Sequence, residues 1–263
     1  MFVSYAQNFE DVMLERVFHS QTTGFYVDVG AWDPNVHSVT KHFYQRGWCG
    51  INIEPARSYH QMLRKSRSRD VNLNVAIGVQ PGTSDFVEVQ RSGLSSLSDN
   101  GVISRASRRG LSTQHYQVSV LTLQSVFEKY CRDKLVSFLK IDVEGSEREV
   151  IQSLDWKAHR PVIVLVEAVE PETWLPAWAS WEPDLVSAGY EFVWFDGLNR
   201  FYLRAESKAL RNHFVVPPCL SDGFVVESTH AISMRLRTRI RLLSREFLPT
   251  GLHEWLDRVY HSL

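Results

Sequence analysis

Residues 25–32 read FYVDVGAW, an apolar run that ends at Asp28 and is followed two residues later by Gly30. This pattern is typical of a buried parallel strand that stops at a tight turn with an acidic side chain at its carboxyl end. Open α/β sheets bind their ligands at that edge of the sheet. The stretch therefore predicts an α/β fold with a ligand site beside Asp28.

Strand and helix patterns alternate along most of the chain. Apolar runs predict further strands at 49–55, 71–78, 136–142 and 161–168. The spacing of apolar residues predicts helices at 7–19, 37–46, 59–65, 123–131, 146–154 and 183–188. Short strands at 191–195 and 200–203 flank a DGLN turn and predict an edge hairpin. This alternation predicts a parallel sheet with helices on both faces.

Two regions depart from this alternation. Polar and apolar residues alternate at 83–90 and 116–121, which predicts half-exposed strands, and the Ser-, Gly- and Arg-rich stretch between them predicts a mobile loop. Beyond about Ala205 the pattern changes to an irregular link followed by helices. We therefore predict a main α/β domain at 1–205 and a C-terminal helical extension at 206–263. The extension is expected to pack on the domain; homo-oligomer formation through its helices and a membrane-surface helix are the alternatives.

Composition limits the classes of function. The chain has 263 residues, 44% of them hydrophobic, and a formal net charge of −1 at pH 7, so it has no general attraction for nucleic acid, and no nucleic-acid partner is predicted. Its three cysteines are widely spaced and fit neither a zinc site nor a disulfide framework, which favours the cytoplasm. The N-terminus lacks a signal-peptide pattern, and the longest apolar run, 162–166, is too short for a transmembrane segment.

Three predicted strands end in acidic residues, namely Asp28, Glu54 and Asp142. Parallel strands share a direction, so these side chains are expected at one edge of the sheet. A carboxylate at the end of the second strand can accept both hydrogen bonds from a ribose diol. Gly30 would let a ligand approach the first turn closely. The pattern therefore predicts a ligand that contains adenosine.

The turn itself discriminates between adenosine ligands. A dinucleotide fingerprint needs G-x-G-x-x-G to admit a pyrophosphate, whereas this turn reads GAWDPN, with the bulky Trp32 and a second carboxylate at Asp33. S-adenosylmethionine suits such a site better, because it carries no phosphate and its sulfonium and ammonium groups are positive. A nicotinamide-dependent oxidoreductase on a related fold and a non-catalytic cofactor-binding protein remain the alternatives.

Several long stretches resemble a known family. They are SYAQNFEDVML, GFYVDVGAWDP, HSVTKHFYQRGWCGINIEP, FLKIDVEGSE and FDGLNRFYL, spread over residues 4–203. In this order they resemble the FkbM-type class I methyltransferases. The resemblance implies use of S-adenosylmethionine and methylation of hydroxyl groups on sugars or polyketides. It also implies an α/β, Rossmann-like seven-stranded sheet of order 3-2-1-4-5-7-6, with strand 7 antiparallel.

The resemblance also implies roles for individual residues. Each is implied by the position that it matches in the family: Asp28, Gly30 and Ala31 around the methionine part of the cofactor, Glu54 and Pro55 at the ribose, Asn74 and Ala76 at the adenine, and Asp142, Glu144 and Gly145 beside the transferred methyl group.

Methyl transfer to an alcohol requires alignment of the reacting atoms and removal of a proton, by a general base or with the help of a metal. Asp142 is the first choice as base or metal ligand, followed by Glu144 and Glu147. The last two can equally serve as acids that stabilise a helix start. Glu167 ends the fifth strand, and with Asp142 and Glu144 it could bind a divalent ion such as magnesium.

Other polar residues have a structural and a functional interpretation. His37 and His115 are candidate bases, but a surface histidine is the simpler interpretation of each. The polar segment 5–11 is expected either to cap the pocket or to cap the first helix. Loops at this edge carry specificity, so the SGLSSL stretch at 92–97 is expected to line the acceptor site. The sequence therefore predicts an S-adenosylmethionine-dependent O-methyltransferase that acts on a small-molecule or carbohydrate acceptor.

Overall fold

The computed structural model describes residues 2–90, 92–97, 101–170, 173 and 175–227. Its strands are β1 (Phe2–Ser4), β2 (Phe25–Val29), β3 (Cys49–Ile53), β4 (Val71–Leu73), β5 (Ala76–Ile77), β6 (Gly82–Val89), β7 (Thr113–Leu121), β8 (Val136–Ile141), β9 (Ile163–Glu167), β10 (Tyr190–Phe195), β11 (Asn199–Arg204) and β12 (Phe224–Val226). Its α-helices are α1 (Glu10–Phe18), α2 (Lys41–Gln45), α3 (Arg57–Ser66), α4 (Val102–Arg108), α5 (Leu123–Tyr130), α6 (Glu147–Gln152) and α7 (Glu182–Ser187). The predicted α/β class, with a multi-stranded sheet and helices on both sides, is confirmed.

The chain forms two compact units. The larger is Tyr5–Asp222, and of the smaller one the structure describes β1 and β12, which pair in parallel. Short 3-10 turns occupy Ala205–Phe214 and Leu220–Asp222, where the sequence predicted an irregular link. The predicted helices further along the tail lie outside the described residues, so the boundary at residue 205 and self-association stay predictions. No described helix is both long and apolar enough to cross a membrane.

Seven strands form the main sheet, in the order β10-β11-β9-β8-β2-β3-β4. Five neighbouring strands of this sheet run parallel to one another, namely β9, β8, β2, β3 and β4. Strand β11 is antiparallel to both of its neighbours, β9 and β10. Numbered within this sheet alone, the order is 3-2-1-4-5-7-6. All the parallel strands present their carboxyl ends at the same edge, which is where the acidic residues follow them.

Side-chain alternation divides the core of this sheet between its two faces. On one face, Val27 and Leu139 belong to a core that also includes Val126 of α5 and Val150 of α6. On the other, Tyr26 pairs with Phe138, with ring centroids 5.6 Å apart, in a core closed by α1 and α2. Since alternate residues of a strand face opposite sides, Asp28 and Lys140 lie on the Tyr26 face, where they are register partners.

Two sequence-based interpretations are wrong in detail. The predicted strand 71–78 is two strands: β4 joins the main sheet, and β5 joins a separate sheet of order β5-β7-β6. The chain turns between them at Asn74, whose amide donates to the carbonyl oxygens of Glu54 and Pro55, each at 2.9 Å. These two hydrogen bonds hold the chain against the end of β3 and divert it from the sheet.

The second correction concerns the segment predicted as a mobile loop. Its described part contains α4, whose Val102 and Ala106 are fully buried against Val87 and Val89 of β6. Apolar residues four positions apart lie on one face of a helix, and this short pattern was hidden among serines and arginines. The predicted strands on either side of it, now β6 and β7, are confirmed and pair antiparallel.

Replacing Gly30 with alanine is expected to destabilise the protein by about 3 kcal/mol. Gly30 has φ +78°, and a Cβ there would lie 1.7 Å from the carbonyl oxygen of Asp142. Both the positive φ and the clash with backbone oppose any side chain. Gly82→Ala is the matched control, because its Cβ would meet nothing within 4 Å. Urea unfolding of both variants measures the difference, and equal stabilities would contradict the expected crowding.

Candidate functional site

A cavity of about 330 Å³ opens at the carboxyl ends of the central strands. The predicted site residues that line it are Gly30, Ala31, Glu54, Pro55, Ala76, Asp142, Glu144 and Glu167. The predicted residues Asp28, Asn74, Gly145 and Glu147 are not among its lining residues. The structure therefore brings these eight predicted residues to one cavity.

The turn after β2 is built mainly from backbone. The backbone N–H groups of Gly30 and Ala31 donate to the carbonyl oxygen of Ile53, at 3.0 and 3.2 Å. Trp32 follows with φ 47°, a left-handed conformation that is uncommon for a bulky residue. Its ring packs against Tyr59, with centroids 5.7 Å apart, and forms part of the cavity wall. The turn is thus held against β3 while its surface faces the cavity.

Glu54 is a buried carboxylate with only part of its hydrogen-bonding capacity used. Its Oε2 accepts from the Trp32 N–H at 2.8 Å and its Oε1 from the Ala56 N–H at 2.7 Å. Each carboxylate oxygen has a second lone pair, so the group can accept two more hydrogen bonds from a ligand. Burial raises the pKa of Glu54 to about 7, against the effect of the two backbone donors.

Asp28 belongs to a buried charge cluster behind the cavity wall. The Thr40 hydroxyl donates to its Oδ2 at 3.2 Å, and Lys140 Nζ lies 3.5 Å from its Oδ1. Lys140 also donates to Asp142 Oδ2 at 3.0 Å and to the Gly30 carbonyl oxygen at 3.3 Å. Burial lowers the pKa of Lys140, but Asp142 and Asp28 outweigh that effect and hold it above its ordinary value. Asp28 therefore acts on the cavity through Lys140.

Three carboxylates meet on the other side of this cluster. Asp142, Glu144 and Glu167 each offer an oxygen atom, and these three atoms lie within 4.8 Å of one another. Burial, then Asp142 and Glu147, raises the pKa of Glu144 to about 8. Burial, then Asp142 and Glu144, raises the pKa of Glu167 well above its ordinary value. Glu144 Oε2 is buried without a hydrogen-bond partner in the described part of the chain. The arrangement favours a positive charge or shared protons at this place.

Glu147 has a structural role. Its Oε1 accepts from the backbone N–H groups of Val143 and Gly145, at 3.2 and 3.1 Å, and it does not line the cavity. It thus holds the loop between β8 and α6, in which Glu144 has φ 57° and Gly145 has φ 103°. The structural interpretation of Glu147 is the one that this geometry supports.

The raised pKa of Glu144 predicts a pH-dependent stability. Its folded pKa of about 8 lies above the ordinary value of 4.5, so the stability that protonated Glu144 contributes is present below pH 4.5 and is lost as the pH rises through about 8. Glu144→Gln, which cannot ionise, is expected to match the wild type near pH 4.5 and to exceed its melting temperature at about pH 9. Glu149→Gln, an exposed change on α6, is the control and should differ at neither pH.

The remaining wall comes from three other segments. Residues 92–97, the SGLSSL stretch, line the cavity, and Ser96 donates to the Glu144 carbonyl oxygen at 3.4 Å. His37 also lines it, with its ring centroid 5.9 Å from that of Trp32, whereas His115 does not. Arg109, which follows α4, is a further lining residue.

Sequence reasoning missed Lys140 and undervalued Glu10. A lysine inside the buried run VSFLKID is unusual, because lysine is almost never fully buried unless it is paired; this was the available signal. Glu10 is 3% exposed and lines the cavity together with Gln7 and Leu198. Burial, then Asp196, raises the pKa of Glu10 to about 8.

The α/β sheet, with its acid-lined edge and adjoining cavity, fits the fold of a methyltransferase. A family model described as "Methyltransferase FkbM domain" matches residues 28–192, which is well over half of the chain. The chain therefore belongs to the FkbM methyltransferase family, and the resemblance seen in the sequence is confirmed. A search of curated proteins finds no match to this chain.

Proposed function

We propose that this protein transfers a methyl group from S-adenosyl-L-methionine to a hydroxyl group of a sugar, glycan or secondary metabolite. The observation that carries the proposal is the distribution of carboxylates along the cavity. Glu54 lies after β3 with two free acceptor sites, and Asp142, Glu144 and Glu167 lie after β8 and β9. One position suits a ribose diol, and the other suits a positively charged group.

The cavity has a counterpart for each part of this cofactor. Beside Glu54, the apolar side chains of Ile53, Ile77 and Phe86 provide a surface for a flat base. Asn74 supports the same end by holding the backbone at Glu54 and Pro55. The carboxylate cluster provides the negative environment that a sulfonium and an ammonium require.

The chain's own residues supply the remaining requirements of the reaction. S-adenosylmethionine, when bound, supplies a methyl group activated by its positively charged sulfur. The acceptor hydroxyl must give up its proton, and Glu144 and Glu167, with their raised pKa values, are the better proton acceptors of the cluster. Lys140 holds the Asp142 carboxylate in one orientation through the 3.0 Å hydrogen bond. Asp142 is thus a positioning group beside the two candidate bases.

Calorimetry tests the cofactor, and a transfer assay tests the reaction. The wild type is expected to bind S-adenosylhomocysteine and to transfer labelled methyl from S-adenosylmethionine to a neutral sugar or glycan panel. No binding of S-adenosylhomocysteine at millimolar concentration would overturn the proposal. A fluorescence titration with NADH tests the oxidoreductase alternative. The turn after β2 has one glycine, at Gly30, and so lacks the glycine-rich binding site that a pyrophosphate needs.

A magnesium ion at the carboxylate cluster stays a prediction. The three oxygen atoms have a suitable mutual distance, and oxygen ligands are those that magnesium prefers. If the ion takes part, exhaustive chelation should abolish methyl transfer and added magnesium should restore it. Activity that is unchanged by chelation would eliminate the ion and leave the carboxylates to act alone.

A further inference from the structure

The end of the cavity farthest from Glu54 lies at β9 and β11. In the order β3-β2-β8-β9, Glu54 and Glu167 follow strands three spacings apart, which is about 14 Å at ~4.8 Å per spacing. If the cofactor's ribose binds at Glu54 and its reactive end at Asp142, the space beyond Glu167 is left for the acceptor. This inference rests on the proposed function.

A buried hydrogen-bond network connects two distant segments at this end. Glu10 Oε1 accepts from Asn199 Nδ2 at 2.8 Å, and Glu10 Oε2 accepts from the Asn8 N–H at 2.8 Å. The same Asn199 amide donates to Asp196 at 3.2 Å, and Asn199 is the register partner of Glu167. The start of α1 and the turn of the β10–β11 hairpin are therefore held together, and each contributes to the cavity wall.

At this end of the cavity, among the described residues, Lys140 is a basic group whose charge acts on both Glu10 and Glu167. Among the described lining residues, the basic side chains are His37, Lys140 and Arg109. Lys140 is held between the carboxylates of Asp28 and Asp142. His37 lies beside Trp32. Arg109 follows α4, the helix that packs on β6 of the second sheet. The β9–β11 end itself carries the carboxyl groups of Glu10 and Glu167, whose oxygen atoms can accept further hydrogen bonds.

We propose that Glu10 is an acceptor-binding residue, oriented by Asn199, that accepts a hydrogen bond from a hydroxyl next to the one that is methylated. The acceptor class that fits is a neutral polyhydroxy compound, such as an unmodified sugar ring. Sugar hydroxyls donate hydrogen bonds to carboxylates. A uronate or a phosphate would add a further acidic group beside Glu10 and Glu167, and the Lys140 ammonium is already engaged by Asp28 and Asp142.

Saturation-transfer NMR on the full chain saturated with S-adenosylhomocysteine tests this proposal. The probes are methyl α-D-glucopyranoside, methyl α-D-mannopyranoside and methyl α-D-glucopyranosiduronate, each at tens of millimolar. At least one neutral glycoside is expected to give a signal and the uronate none. Glu10→Gln and Asn199→Ala are each expected to reduce the neutral signal at least about fivefold, while Glu191→Gln, an exposed change in the same hairpin, leaves it unchanged.

The outcomes separate this inference from the proposed function. Glu10→Gln should bind S-adenosylhomocysteine within about threefold of the wild type, which also shows that the variant is folded. A uronate signal equal to that of the neutral glycosides, no neutral signal from the wild type, an unchanged signal in Glu10→Gln, or lost cofactor binding in that variant would each overturn the role of Glu10. Only failure of the wild type to bind S-adenosylhomocysteine would overturn the proposed function itself.

Discussion

Replacing Lys140 with methionine is expected to lower the free energy of unfolding by about 3–5 kcal/mol. The ammonium group lies 3.0 Å from Asp142 and 3.5 Å from Asp28, and its side chain is 8% exposed. Removing it leaves two carboxylates close together without the ammonium that pairs them, and Asp28 is almost completely buried. Urea unfolding at about pH 7 measures the loss, and a change below about 1 kcal/mol would contradict the importance of this ion pair.

A second variant separates the charge effect from the loss of packing. Asp28→Asn combined with Lys140→Met removes one of the two uncompensated carboxylates and is expected to recover about half of the lost stability. Burial already raises the pKa of Asp28 above its ordinary value, although Lys140 opposes this effect. The Lys140→Met variant is therefore expected to lose the least free energy of unfolding in acid, where Asp28 can take up a proton. Equal losses at acid and neutral pH would show that packing dominates.

Replacing Glu54 with glutamine is expected to weaken S-adenosylhomocysteine binding by about 100-fold or more. Two charge-assisted hydrogen bonds to a ribose contribute roughly 1.5–3 kcal/mol each, and each 1.4 kcal/mol is a factor of ten in affinity. The glutamine amide would also point its N–H groups at the Trp32 or Ala56 N–H. Glu88→Gln, a buried change outside the cavity, is the control and should alter the affinity less than about threefold.

The pH dependence of binding provides an independent check on Glu54. Its pKa of about 7 in the free protein means that it is protonated in acid, and only the ionised form accepts from both ribose hydroxyls. Affinity for S-adenosylhomocysteine is therefore expected to fall about tenfold per pH unit below 7 and to level off above it. Calorimetry from about pH 5.5 to 8.5 measures this profile, which should flatten in Glu54→Gln. An unchanged slope in the variant would assign the titration to another group.

The strands and the ligand edge could be predicted from the sequence because both follow from local patterns. The buried runs before Asp28, Glu54 and Asp142 have the length and composition of parallel strands, and a parallel arrangement brings their ends together. Which side chain of β8 lies beside Asp28 depends on the register between β2 and β8. That register places it beside Lys140, and no pattern along the chain reveals it.

The rest of the site depends on contacts between segments far apart in the sequence. The break between β4 and β5 comes from hydrogen bonds that Asn74 makes to residues about 20 positions earlier. The orientation of Glu10 comes from a hydrogen bond donated by Asn199, 189 positions later. Such pairs leave no periodic pattern in the sequence. The sequence alone therefore identifies segment 5–11 only as the polar start of a helix, and its contact with the β10–β11 hairpin becomes visible only in the structure.

The close contact at Gly30 shows which parts of the cavity wall can accept a new side chain and which cannot. Backbone of β3 on one side and of Asp142 on the other leaves no room there for any side chain. The cofactor half of the pocket therefore cannot be remodelled through this turn. Residues 92–97, Arg109 and Leu198 enter the cavity from loops instead, so under the proposed function acceptor preference can change there while the methyl donor stays the same.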